Sequence, residues 1–163
     1  MKISVIIPVY NAAHFVTDGV ESALAQPETA EVLLIEDGSH DGSLVVCQEL
    51  ADQYAKVRLL QHPGGANRGA GASRNLGMQN AQYDYIAFLD ADDFYLPGRF
   101  KAAREIFESD PSCEGVYDAM GVHFEDDNVK QYWYSSPMGN TEMTTLTEIV
   151  PPDALFKNLV IGD

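Results

Sequence analysis

Basic residues are scarce in this 163-residue chain, which has 10 Lys and Arg residues against 25 Asp and Glu residues and a formal net charge of −15 at pH 7. Surfaces that bind nucleic acid need a basic stripe to displace counterions from the phosphates. The composition therefore argues against nucleic acid as a partner, and against unaided adsorption to an anionic membrane. An acidic protein that handles anionic substrates needs a metal ion or a few well-placed arginines.

Cysteine and long apolar runs are scarce as well. The two cysteines, Cys47 and Cys113, match no zinc-binding spacing, and we expect them to be buried thiols in a reducing compartment. No run of ~18 apolar residues occurs, so the sequence predicts no membrane span in this chain. The apolar run after Met1 is too short for a secretion signal, and these features together favour a cytoplasmic protein.

Short apolar runs alternate with helix-like segments in the first two thirds of the chain. The pattern predicts strands at 3–9, 31–36, 57–61 and 83–89, and helices at 12–26, 41–55, 71–81 and 97–109. Continuous β-branched runs joined by helices are typical of a parallel sheet covered on both faces. We therefore predict an α/β, Rossmann-like fold in which the loops after the strands share one edge.

The last third of the chain has a different pattern. Residues 115–119 are a further candidate strand, and residues 122–134 suggest an antiparallel hairpin around Asp126-Asp127-Asn128. The apolar residues of 141–163 have no clear period, and the chain stops without a closing element. We expect one domain over residues 1–163, as part of a longer protein.

Carboxylates are crowded in Asp90-Ala91-Asp92-Asp93, directly after the fourth predicted strand. They repel one another and resist desolvation unless a cation lies among them. Mg²⁺ or Mn²⁺ is the expected cation, because both prefer oxygen ligands and commonly hold substrate phosphates. In an extended segment Asp90 and Asp92 would point the same way, while Asp93 would point back or cap the following helix.

A second acidic pair, Glu36-Asp37, follows the second predicted strand. Turn and N-cap chemistry accounts for Gly38, Ser39 and Asp41 without any function. It leaves Glu36 and Asp37 at the sheet edge, where a carboxylate could accept the imide N–H of uracil or the exocyclic amine of another base. We therefore predict base recognition there.

A glycine-rich segment, residues 64–75, leads into the third predicted helix. Such turns often approach phosphates, but neither the dinucleotide-binding fingerprint nor the P-loop is present. Arg74 is the useful residue, because its guanidinium is a bidentate donor for a diphosphate. The histidines are dispersed, form no Ser/His/Asp arrangement, and are each typical of surface or loop positions.

With these motifs the sequence resembles the family 2 glycosyltransferases, whose fold is called GT-A. The matching stretches occur in the family's order over roughly residues 1–110, and they are residues 5–11, 36–39, 71–77 and 88–93. Glu36 departs mildly from the family's motif, in which Asp is more frequent at the position before Asp37. The resemblance implies a nucleotide-sugar-binding domain, here without a C-terminal acceptor-binding part.

The resemblance also implies roles for residues that would contact the nucleoside. Pro8, Tyr10 and Asn11 fall on the segment that holds it, with Tyr10 near the base. Asp37 falls on the position that hydrogen-bonds the uracil of a UDP-sugar.

At the diphosphate end, the family's D-x-D motif falls on Asp90 and Asp92. Asp90 would lie near the ribose and share the metal, and Asp92 would ligate the Mn²⁺ or Mg²⁺ bound to the diphosphate. Arg74 matches a basic position near the donor.

The implied activity is metal-dependent, inverting transfer of a sugar from a nucleotide-diphosphate donor, with a UDP-sugar favoured, to a hydroxyl of a glycan or lipid-linked sugar in polysaccharide biosynthesis. The general base is unassigned, because Asp126, Asp127 and Asp163 are candidates only by being acidic. One alternative is a non-catalytic nucleotide-sugar-binding module or fragment. A sugar-phosphate nucleotidyltransferase is the other, although it would carry a glycine-rich, basic loop after the first strand.

Overall fold

The computed structural model describes residues 1–117, 123–124 and 126–136, and its centre is a sheet of four parallel strands in the order β3-β2-β1-β4. The strands are β1 (Ile3–Val9), β2 (Thr29–Glu36), β3 (Val57–Gln61) and β4 (Tyr85–Phe88). In the middle of the sheet, Val5 of β1 pairs with Val32 of β2 on one side and with Ala87 of β4 on the other. The prediction of a parallel α/β sheet is confirmed.

Four helices follow the strands, and all but the third are shorter than the sequence pattern predicts. They are α1 (Val16–Leu24), α2 (Ser43–Gln53), α3 (Ala70–Asn80) and α4 (Lys101–Ser109), with a single 3₁₀ turn at Pro63–Gly65. The missing turns lie mostly at helix starts. Before α4, for example, Gly98 has a φ of +77°, a left-handed conformation that a helix cannot contain.

Two apolar cores lie on opposite faces of the sheet, because successive side chains of a strand alternate in direction. Val5, Ile7 and Val9 belong to the larger core, together with buried residues of α1 and α2. Ile6 faces the other way and packs with Leu33, Ile35 and, from α3, the half-buried Leu76. Helices thus cover both faces.

Helix α3 approaches β1 very closely at Gly77. A Cβ added to Gly77 would overlap with Cγ2 of Ile6 and lie 3.0 Å from Cγ1 of the same side chain. The absence of a side chain at this position therefore sets the distance between α3 and the sheet.

The chain divides into two compact units, residues 1–112 and residues 113–163. In the second unit, residues 127–135 form helix α5 (Asp127–Ser135), so the predicted antiparallel hairpin over 122–134 is wrong. The side chain of Asp126 accepts a hydrogen bond from the backbone N–H of Asn128 at 2.5 Å and caps the helix. Asp and Asn favour helix caps as much as turns, which explains the error. Residues 115–117 are not in a strand, and the rest of the predicted strand at 115–119 lies outside the described residues.

Among the residues that the structure describes, no helix has the length and apolar character needed to cross a membrane.

Candidate functional site

An open pocket of about 300 Å³ lies at the carboxyl edge of the sheet, where β1, β2 and β4 end and α3 begins. All of the residues predicted to hold the nucleotide or the metal line it: Pro8, Tyr10, Asn11, Asp37, Arg74, Asp90 and Asp92. They come from four separate stretches of sequence. The shared edge of a parallel sheet brings them together, as the order of the elements predicts. Their roles in binding stay a prediction.

Residues 90–93 form a turn rather than an extended segment, since the backbone N–H of Asp93 donates to the carbonyl of Asp90 at 3.0 Å. The alternation predicted for their side chains is therefore wrong. Asp93 does not cap α4 either, because that helix begins at Lys101 and its N-cap residue, Phe100, makes no side-chain capping bond. Burial raises the pKa of Asp93, and the charges of Asp92 and Asp90 add to the effect.

An ion pair crosses the pocket between Arg74 of α3 and Asp90. Nη2 of Arg74 lies 2.5 Å from Oδ1 of Asp90, and both side chains are partly exposed. The pair brings a guanidinium into an acidic part of the pocket, where it can reach an anion that binds there.

The acidic residues of the pocket fit a hard divalent cation that shares its ligands with a bound phosphate. Asp90 and Asp92 both line the pocket. Burial raises the pKa of the neighbouring Asp93, and the charges of these two carboxylates add to the effect. In the described part of the chain, no group of three or more His, Cys, Asp or Glu side chains could hold a metal by itself. Mg²⁺ typically takes one or two carboxylates and completes its shell with water and phosphate oxygens, which matches this donor set.

Asp37 is buried at the floor of the pocket and holds the glycine-rich loop. Its Oδ1 accepts a hydrogen bond from the backbone N–H of Arg68 at 2.7 Å, and its Oδ2 accepts one from the N–H of Gly69 at 2.8 Å. Next to it, Gly38 has a φ of +73°, and a Cβ there would lie 2.8 Å from both the nitrogen of Asn67 and the oxygen of Gly65. Asp37 and Gly38 therefore form the surface on which this loop rests.

Glu36 does not line the pocket and has a structural role. Its Oε1 accepts a hydrogen bond from the backbone N–H of Ser39 at 2.6 Å, and its Oε2 accepts one from Nε2 of Gln61 at 2.7 Å. Burial acts to raise the pKa of Glu36, but these hydrogen bonds outweigh it and lower the pKa below its usual value. Of the predicted acidic pair, only Asp37 reaches the pocket.

A set of hydrogen bonds, which no sequence pattern predicts, joins the loop after β1 to the loop after β2. Ser39 Oγ accepts from the N–H of Asn11, Ser43 Oγ from that of Ala12, and Asp41 Oδ2 from that of Ala13, at 2.9–3.0 Å. We call these contacts the loop clamp. Asn11 has a φ of 50°, unusual for a residue with a side chain, and its Oδ1 accepts from the N–H of His40.

Asp41 is the charged member of the loop clamp. The hydroxyl and the backbone N–H of Ser43 both donate to its Oδ1, at 2.6 Å and 3.0 Å. These bonds, together with the one from Ala13, lower the pKa of Asp41 from the usual 3.8 to about 2. The clamp therefore contains a carboxylate that stays ionised well into the acid range.

His62 is a second residue whose position the sequence did not predict. It is only 8% exposed, and its Nε2 lies 3.1 Å from Oγ of the fully buried Ser73 and 3.6 Å from Oδ1 of Asp37. His62 does lie in a loop, directly after β3, but it is buried against α3 rather than at the surface. The three residues are far apart in sequence, so spacing alone offered no signal.

Two exposed aromatic rings, those of Tyr10 and Phe15, also line the pocket. Tyr10 was predicted to lie near a base. The apolar spacing within the predicted helix 12–26 places Phe15 on its inner side, but the residue lies just ahead of α1 and its ring is exposed. A pair of exposed rings beside charged groups suits a planar ligand.

The acidic residues considered as a catalytic base lie in the second unit. Asp126 caps α5 and Asp127 is the first residue of that helix. Asp163 lies outside the described residues.

Comparison with known proteins identifies the family. The sequence profile described as "Glycosyl transferase family 2" matches residues 4–158. The chain belongs to this family. An uncharacterized glycosyltransferase of Haemophilus influenzae is 44% identical to this glycosyltransferase family 2 chain over 93 residues, which are 56% of the chain and 36% of that protein. The succinoglycan biosynthesis protein ExoU of Rhizobium meliloti is 40% identical over 97 residues, which are 60% of the chain and 28% of ExoU.

Solved structures of glycosyltransferases have the same fold. The crystal structure of S. aureus TarS 1-349 in complex with UDP matches with a TM-score of 0.59 and 25% identity, over 74% of this chain and 39% of that one. The mannosyltransferase PcManGT of Pyrobaculum calidifontis, in complex with GDP-Man and Mn²⁺, matches with a TM-score of 0.58 and 22% identity, over 68% and 33% of the two chains. The expected GT-A fold is confirmed. This family 2 chain spans between 28% and 39% of the length of these proteins.

Proposed function

We propose that this chain is the donor-binding part of a metal-dependent, inverting glycosyltransferase that uses a nucleotide-diphosphate sugar, with a UDP-sugar favoured. One observation carries the proposal. The residues that the family resemblance marks for nucleoside, diphosphate and metal all line a single pocket, although they come from four stretches of sequence. Membership of glycosyl transferase family 2 supports the same function.

At the diphosphate end, Asp92 and Asp90 would hold Mn²⁺ or Mg²⁺. When bound, such an ion neutralises the charge that develops on the leaving diphosphate. Arg74 donates to Asp90 and lies within the same pocket. Its guanidinium can donate instead to a phosphate oxygen, and this adds positive charge where the transition state is most negative.

At the nucleoside end, the floor and one wall of the pocket would recognise the base. The ring of Tyr10 is 50% exposed and can stack on a base, while Asp37 on the floor can accept its imide N–H. The loop clamp fixes the backbone of Asn11 beside them. Pro8, half-buried at the end of β1, completes this side.

The acceptor side of the proposal is a hydroxyl of a glycan or lipid-linked sugar, in a cytoplasmic step of polysaccharide biosynthesis. Inversion needs a general base within hydrogen-bond reach of that hydroxyl. The pocket residues of the described chain all have donor-side roles, so we propose that the base lies outside this pocket, in the part of the protein that binds the acceptor.

Substitution of Asp92 by Asn tests the metal-binding role. We expect the wild-type chain to bind UDP in calorimetric titration with Mn²⁺, and Asp92→Asn to lose at least about tenfold in affinity, since one charged ligand to the ion is removed. Asp52→Asn, an exposed carboxylate of α2, is the matched control and should bind like wild type. Circular dichroism should show the same fold for all three proteins.

Two results would contradict the proposal. Absence of Mn²⁺-dependent binding of UDP, GDP or CDP by the wild-type chain at millimolar concentration would remove the donor-binding function. Unchanged Mn²⁺ dependence in Asp92→Asn would remove Asp92 from the metal site. Metal-dependent binding by a full-length protein that neither hydrolyses nor transfers the sugar would indicate the non-catalytic module instead.

A further inference from the structure

His62 occupies a place between the pocket floor and the interior of the protein. It follows β3, is 8% exposed, and does not line the pocket. Its Nε2 lies 3.1 Å from Oγ of Ser73, a fully buried residue of α3, and 3.6 Å from Oδ1 of Asp37. The Nε2 atom of His62 therefore contacts both α3, through Ser73, and the residue that follows β2, Asp37.

The Asp37 carboxylate is the only one of these three groups that a ligand can reach, because Asp37 alone lines the pocket. Its oxygens already accept the backbone N–H groups of Arg68 and Gly69. A carboxylate has about four acceptor positions, so two are left for a ligand and for a donor from below. Nε2 of His62 faces Oδ1 of Asp37 from below at 3.6 Å, a close polar contact that is longer than a hydrogen bond.

We propose that His62 is a positioning residue for base recognition, which acts through Asp37. The contact with Ser73 holds Nε2 of His62 in place beside Asp37. Nε2 in turn fixes the rotation of the Asp37 carboxylate, and thereby the direction of the lone pair that faces the base. The inference rests on the proposed function, since it takes Asp37 as the residue that accepts the imide N–H.

The orientation of Asp37 matters for selectivity more than for overall affinity. A carboxylate accepts the N3–H of uracil but repels the N3 lone pair of cytosine, and both effects need the oxygen in line with N3. The metal and diphosphate contacts are the same for UDP and CDP. A change in His62 should therefore alter the ratio of the two affinities.

The test compares the dissociation constants of UDP and CDP, with Mn²⁺, for the whole chain and its variants. We expect wild type to prefer UDP, and His62→Leu to reduce this preference about two- to fivefold, as for the loss of a weak polar contact beside the Asp37 carboxylate. His62→Gln should restore most of it, because its side-chain amide can donate from a similar position.

Arg58→Met is the matched control for a purely structural effect. It breaks the ion pair with the buried Glu31, which lies at the start of β2 and so at the opposite edge of the sheet. It should lower the thermal unfolding temperature while leaving the UDP-to-CDP ratio unchanged. Where His62→Leu does not fold, Ser73→Ala removes the other partner of Nε2 and should reduce the ratio in the same direction.

The outcomes separate this inference from the proposed function. A wild-type chain that binds neither nucleotide with Mn²⁺ refutes the proposed function itself. A wild-type chain that binds both nucleotides equally removes Asp37 as the residue that recognises the base, and with it both the UDP preference and the role of His62. A wild-type preference that His62→Leu and Ser73→Ala leave intact overturns the role of His62 alone.

Discussion

Acidic side chains near the pocket have two different surroundings. Glu36 and Asp37 are buried, and their oxygens accept hydrogen bonds from neighbouring backbone N–H groups. Asp90 and Asp92 are exposed at the pocket edge. The hydrogen bonds of the buried carboxylates hold the neighbouring loops in position, while the exposed carboxylates have oxygens available for a ligand. Glu36 is therefore structural, whereas Asp37 both holds its loop and lines the pocket, where we propose that it recognises the base.

Acid should weaken the loop clamp at Asp41. Its pKa is about 2 in the folded chain, against the usual 3.8 that we take for the unfolded chain. The stabilisation that the ionised form provides is complete above about pH 4 and is lost as the pH falls towards 2. We therefore expect the difference in unfolding free energy between wild type and Asp41→Asn to be largest at pH 5–7 and to shrink below pH 4.

Denaturant titrations of both proteins at pH 7, 5, 4, 3 and 2.5 measure this difference. Ser43→Ala is a companion variant, because it removes the hydroxyl that donates to Asp41 and should flatten the acid dependence in part. A gap between wild type and Asp41→Asn that stays constant over this range would show that the clamp does not lower the pKa of Asp41.

Helix α3 links the sheet to the pocket. Its Gly77 lies against Ile6 of β1, while Arg74, almost one turn earlier, lines the pocket. The distance between helix and sheet therefore also fixes how far the guanidinium reaches over the site. Packing in the core and geometry in the site are coupled through one rigid element.

Gly77→Ala should destabilise the chain by about 1–3 kcal/mol, because the new methyl group overlaps with Ile6 in a close-packed core. Gly71→Ala, in the first turn of the same helix, is the control. A Cβ there meets nothing within 4 Å, so we expect a gain of about 0.5–1 kcal/mol from the better helix propensity of Ala.

Both substitutions can be measured by chemical denaturation with unchanged m-values. Equal effects of the two would mean that α3 moves freely away from β1, contrary to the packing described. A weaker affinity for UDP in Gly77→Ala alone would follow from the displacement of Arg74.

At the scale of the whole molecule, the two cysteines lie in different units and differ in exposure. Cys47 is a buried residue of α2, and burial, with smaller contributions from the charges of Glu36 and Asp41, raises its pKa to about 12. Cys113 is half-buried, so the expectation of two buried thiols holds for Cys47 only. A thiol reacts as its thiolate, and Cys47 has neither the exposure nor the ionisation for that.

Iodoacetamide at pH 8 should therefore modify Cys113 in the native chain and leave Cys47 intact until the chain unfolds. Mass spectrometry of wild type, Cys47→Ser and Cys113→Ser, in buffer and in denaturant, assigns the modified residue. Native modification of Cys47 at the rate of Cys113 would show that the core of the first unit opens readily.

The arrangement of the sheet and the membership of the pocket could be predicted because they depend on short-range patterns. Apolar β-branched runs mark the strands, and parallel topology then places their carboxyl ends together. The loop clamp and the His62 contacts could not be predicted. Their partners lie far apart in sequence, and Ser39 and Asp41 were fully explained as turn formers. Asp126-Asp127-Asn128 was ambiguous in the same way, and the helix cap prevailed over the turn.

The central position of β1 has a consequence for the order in which the chain folds. Ile3 lies opposite Thr29 on one side and opposite Tyr85 on the other. Contacts between residues distant in sequence form late, because the entropy of closing the long intervening loop must be overcome first. On the ribosome, β1 can pair with β2 early but has a bare edge until residues 85–88 emerge. Of the four strands, β1, which leads to Tyr10 and Asn11 of the pocket, is therefore made first but acquires its second neighbour only when β4 is made.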